Sequence, residues 1–78
     1  MDTIHEIVAL LRRHSELEIE ILNGRGAGIA IEQELEATRR RLTAHPRALN
    51  AVLQTARALR RTPDAISVRD VTDLGAWT

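Results

Sequence analysis

The sequence predicts an all-α protein, a small bundle of three main helices followed by a short C-terminal helix. Three observations carry this. The apolar share of 44% is built from Ala, Leu, Ile and Val, with no Phe or Tyr and a single large ring, Trp77. Cores of Ala and Leu suit closely packed helices, whereas a β-sandwich draws on β-branched and aromatic residues. Apolar residues also recur at helical spacing along three long segments. Finally, 2 Pro and 4 Gly in 78 residues leave little punctuation for the many turns of a β-fold. A chain this short makes one domain, residues 1–78.

The first helix is expected over residues 3–22. Thr3-Ile4-His5-Glu6 has capping-box form, a hydroxyl for the Glu6 amide and a carboxylate reaching back. Nothing from there to Leu22 breaks a helix, and Asn23-Gly24 offers a stop. Wound as a helix, Ile4, Val8, Leu11, Ile19 and Leu22 form one side of an apolar sector, and Ile7, Leu10, Leu17 and Ile21 the other. Together they span roughly 200°, about twice what a surface helix needs. Such a helix must be covered from two directions. So short a chain has little left to do that, and a partner chain is expected to supply part of the cover.

His14, Ser15 and Glu18 interrupt the sector. His14 and Glu18 stand four apart and so are neighbours on one face. A polar layer of this kind fixes register and oligomeric state in a helical interface, and the three residues are read that way. The same pair has the residue types of a metal or acid–base site, but one His and one Glu are a weak donor set.

Gly24-Arg25-Gly26-Ala27-Gly28 resembles a phosphate-cradling loop only in its glycines. A P-loop needs Gly-Lys-Ser/Thr, and all 11 basic residues here are Arg. A dinucleotide site needs a preceding strand, and here a helix precedes it. The segment reads as a connector with Arg25 at its tip, a weak anion holder at most. Helix two is expected over 29–44, with a narrow stripe of Ile31, Leu35, Thr38 and Leu42. Its acids Glu32, Glu34 and Glu36 precede Arg39, Arg40 and Arg41, an order that complements the helix dipole without a ligand. Glu36 can pair with Arg40 one turn on. The short connector makes helices one and two an antiparallel hairpin.

His45-Pro46 is the next break, because Pro excludes its predecessor from helical geometry and fits the first position of a new helix. Helix three is expected over 46–61. Leu49, Val52, Leu53, Ala56 and Leu59 face inward, and Arg47, Asn50, Gln54, Arg57 and Arg61 form an outer ridge. Thr62-Pro63-Asp64 makes a turn or a helix start. Ser67-Val68-Arg69-Asp70 has capping-box character and opens a short helix over 68–74, which Gly75 ends. Trp77 either closes over the core or stays free for contact.

The stretch Ala56-Arg57-Ala58-Leu59-Arg60-Arg61-Thr62-Pro63-Asp64-Ala65-Ile66-Ser67 resembles a helix-turn-helix DNA-binding unit, with Ala56, Leu59, Thr62, Ile66 and Ser67 at matching positions. The resemblance covers about a quarter of the chain. It implies that the second helix enters the major groove, with Thr62, Asp64, Ala65 and Arg69 on or near it. Arg60 stands at the turn position that usually takes Gly, and Asp64, Asp70 and Asp73 place acid on the recognition segment, which phosphates repel.

Net charge is zero but polarised: residues 1–38 hold eight acids against three Arg, a balance of −5, and residues 39–78 hold eight Arg against three Asp, +5. The two halves neutralise each other, within one chain or across a dimer. Zero Cys removes disulfides and thiolate chemistry. No apolar run approaches the roughly 20 residues of a membrane span. Met1-Asp2 does not begin a signal peptide. The expectation is a cytoplasmic, non-enzymatic interaction or regulatory module, a homodimer acting on a larger protein, with no cofactor and no metal. Arg47, Gln54, Arg57, Arg61 and Trp77 are the candidate partner contacts. The alternative is a small DNA-binding regulator using the Arg-rich C-terminal half.

Overall fold

The computed structural model describes residues 3–24 and 28–77. Four helices run in order: α1 (Thr3–Leu22), α2 (Ile29–Thr43), α3 (Pro46–Leu59) and α4 (Val68–Leu74), with a 3-10 turn at Pro63–Ala65 between the last two. No strand occurs among the described residues. The connector residues Arg25, Gly26 and Ala27, and with them the anion role considered for Arg25, lie outside the described residues.

The expected elements are present; α1 has its expected bounds, and α2 and α3 end earlier than expected. Thr3 is already helical, so the position ahead of α1 is Asp2, outside the described residues. Glu6 lies 3.6 Å from Nε2 of His45, at the α2–α3 corner. Helix α2 closes at Thr43, one residue before Ala44. Helix α3 ends at Leu59 rather than Arg61 because Arg60 turns left-handed, with φ 54°. Two amides close that end: Arg60 N–H donates to Arg57 O at 3.3 Å and Arg61 N–H to Ala56 O at 2.9 Å. The capping box that opens α4 forms in full. Asp70 N–H donates to Ser67 Oγ at 3.2 Å, and Ser67 N–H donates to Asp70 Oδ2 at 2.9 Å.

Helices α1 and α2 form the antiparallel hairpin. Arg13 of α1 grips Glu34 of α2 with two N–H donors at 2.9 Å, and Leu17, Leu35 and Thr38 are buried along the seam. Helix α3 runs beside α1 in the same direction. Its start shares a cleft with Thr3 and Trp77, and the 3-10 turn beyond its end reaches Ser15. The core lies between these layers: Ile4, Ile7 and Val8 of α1 meet Leu42, Ala48, Ala51, Val52, Ala56, Ile66 and Val71. Three alanines on the inner face of α3 allow close approach to α1. Two threonines are buried, and each returns its hydroxyl to its own helix: Thr55 to Ala51 O and Thr38 to Glu34 O, both at 2.8 Å.

Candidate interaction surface

The broad apolar sector of α1 is covered from two directions, but not along its whole length. On one side α2 buries Ile7 and Leu17. On the other, α3, the 3-10 turn and α4 bury Ile4 and Val8 and half-bury Leu11. That cover ends at Ser15, whose hydroxyl donates to Asp64 Oδ2 at 3.1 Å. Beyond it the α3-side line is open, and past the buried Leu17 so is the α2-side line: Ile19 is 53% exposed, Ile21 38% and Leu22 84%, with Ile29 at the start of α2 at 73%. The cause is length. Twenty residues of α1 rise about 30 Å, whereas the 14 of α3 rise only about 21 Å.

The bare end has a defined shape. Glu18, Ile21 and Leu22 of α1 face Leu35 and Arg39 of α2 across a shallow cleft of about 260 Å³. Beneath it, the end of α3 and the 3-10 turn make a step where Leu59 is partly open at 37%. Arg60 and Arg61 follow directly on Leu59 at that step, and Arg57 lies on the outer face of the last turn of α3, all three exposed. Arg61 pairs with Asp70 at 3.4 Å; Arg57 and Arg60 have no ion pair among the described residues.

The three polar residues of α1 find partners within the chain. His14 Nδ1 lies 2.8 Å from Glu18, and Arg39 Nε donates to His14 Nε2 at 3.2 Å. Arginine can only donate, so Nε2 is the acceptor and Nδ1 carries the proton given to Glu18. His14 and Ser15 are half-buried; Glu18 is exposed at the foot of the bare segment. The pair is thus a link between α1 and α2, and Arg39 occupies the lone pair that a metal would need. Among the described residues no three His, Asp or Glu side chains are grouped to hold a metal ion.

The five candidate contact residues separate into three places. Trp77 folds back, half-buried against the core, with the Arg47 guanidinium 5.8 Å from its ring centre. Gln54 and Arg57 remain exposed on the outer face of α3. Arg61 lies past the helix end and ties it to the first turn of α4. The bare residues Ile19 and Leu22 were visible in the sequence as part of the sector, but not as its uncovered end. The unequal lengths of the first and third helices were the available signal.

Two carboxylates near the α3–α4 link are held below the usual range. Asp64 is lowered first by a hydrogen bond from the Thr62 side chain, then by that from Ser15, against some desolvation. Asp70 is lowered first by the Ser67 backbone N–H, then by the Ser67 side chain and the charge of Arg61. No described helix is long and apolar enough to cross a membrane. No family model, curated protein or solved structure matches the chain.

Proposed function

We propose that this protein is a small non-enzymatic interaction module, a homodimer that acts by binding a larger protein. The observation that carries the reading is the uncovered end of α1, where Ile19, Ile21 and Leu22 continue the line of residues that is core elsewhere along the helix. Apolar groups concentrated at one end and rimmed by charge are the surface feature that association relieves. Gln54 and Arg57, left open on α3, are assigned to the larger partner, together with Arg47 and Trp77 near the start of α3 and Arg61 past its end, which also hold intramolecular contacts. The chemistry available to an enzyme is thin here: the His14–Glu18 pair is already engaged by Arg39.

Light scattering across micromolar concentrations tests this. The wild-type chain is expected at twice 8.7 kDa, and the Ile19→Glu and Leu22→Glu variants at the single mass. A wild-type chain of single mass throughout would remove the reading.

DNA binding is the second reading, and one observation favours it: Arg60 adopts the left-handed turn that the helix-turn-helix resemblance requires. The segment beyond the turn supports it less. Pro63–Ala65 is a single 3-10 turn, and Asp64 is bonded to α1 instead of facing outward. A low-salt gel shift with duplex DNA discriminates, since phosphate contacts by Arg57 and Arg60 would give binding that weakens steeply with salt.

A further inference from the structure

We infer that a second copy of this chain fills the step beside the bare end of α1, in antiparallel orientation, so that each copy's hairpin tip lies over the other's α3 terminus. This rests on the interaction-module reading and adds the partner's surface and orientation. Three observations lead to it. The first is shape. Helix α1 continues past Ser15 as a wall carrying Ile19 and Leu22, and the 3-10 turn and the end of α3 form a floor below it. Two such steps interlock when the copies point in opposite directions. If both tips point the same way, the α3 of each copy stands where its partner's hairpin would have to lie.

The second observation is apolar matching. The wall presents Ile19 and Leu22, and the floor presents Leu59, 37% exposed at the close of α3. The interlocked arrangement lays the Leu22 of one copy towards the Leu59 of the other and brings the two Ile19 side chains together near the two-fold axis. The third is charge. The hairpin end carries Glu16, Glu18, Glu20, Glu32, Glu34 and Glu36, of which Glu20 and Glu32 have no ion pair among the described residues, whereas the floor is edged by Arg60, at the close of α3, which has none either. Tip against tip would set acid beside acid. Tip over floor sets acid beside unpaired arginine, the arrangement that electrostatic complementarity selects.

The absence of Cys makes a direct test clean. Leu22→Cys and Leu59→Cys chains, both altered at open positions, are purified separately, mixed and oxidised mildly. The expected product is the mixed disulfide, in several-fold excess over the Leu22→Cys homodimer. As a second readout, the Arg60→Glu reversal weakens self-association by about threefold or more and flattens its salt dependence. A dominant Leu22→Cys homodisulfide, or a dimer indifferent to the Arg60 reversal, overturns the orientation while leaving a self-associating module. A wild-type chain that stays monomeric overturns this inference and the functional reading together.

Discussion

Ser15 donates a hydrogen bond to Asp64 across 3.1 Å, and this contact marks the height at which α3 and the 3-10 turn stop covering the first helix. Below it the apolar sector of α1 is covered by the rest of the chain; above it Leu17 stays buried under α2, and Ile19, Ile21 and Leu22 meet water. The contact joins residues 49 apart in sequence.

Acid should loosen this corner. Asp64 and Asp70 are both depressed in the folded state, so the unfolded chain binds protons first as pH falls. Their contribution is complete above the ordinary carboxylate range, about pH 4, and is lost as pH drops through it towards the lowered folded values. Thermal midpoints measured from pH 6 down to pH 2 should fall, and Asp70→Asn should flatten the fall. An unchanged slope in that variant would mean the capping box contributes nothing to acid stability.

Arg60 should be replaceable with profit. A left-handed backbone costs an L-residue roughly 1–2 kcal/mol relative to its ordinary conformation, and Gly escapes most of this. Arg60→Gly is therefore expected to stabilise the monomer fold by about 1 kcal/mol, or about 4–8 °C in thermal midpoint for a domain this size. A lower midpoint would show that the Arg60 side chain makes stabilising contacts that outweigh the backbone cost.

Much of the fold was legible in the sequence. The first helix, the Pro46 start, the Ser67–Asp70 box and the Gly75 stop each follow from local chemistry that the structure keeps. Periodicity ran α3 past Arg60, because nothing local forces a left-handed arginine, and only the helix-turn-helix resemblance put a turn there; Ile66 and Val71 beyond it, both fully buried, anchor the next segment to the core. The bare end of α1 was half legible. Periodicity shows which face is apolar, but which stretch stays open depends on where α3 stops along α1. For the same reason His14 and Glu18, spaced as one-face neighbours, gave no hint that Arg39 from another helix would complete them.

Burial ranks the core leucines differently from their place in the apolar sector. Leu17 is fully buried between α1 and α2, whereas Leu11, at the heart of one side, is half-buried. Leu17→Ala should cost about 2–5 kcal/mol and Leu11→Ala distinctly less. Chemical denaturation of both variants checks the order, and a reversed order would place the centre of the core nearer Leu11.

Trp77 is the only aromatic residue and reports on its own contact. Removing the guanidinium above its ring by Arg47→Ala should cost about 0.5–1 kcal/mol and shift its emission to the red. Emission unchanged from wild type would mean that burial against the core, and not Arg47, sets the environment of the ring.

Amide hydrogen exchange along α1, recorded at nanomolar and at high micromolar chain concentration, tests the central claim most directly. At low concentration Glu18–Leu22 should exchange much faster than Ile7–Leu17, and at high concentration the two stretches should converge as the open end is covered. Exchange of Glu18–Leu22 that is the same at both concentrations would contradict the account.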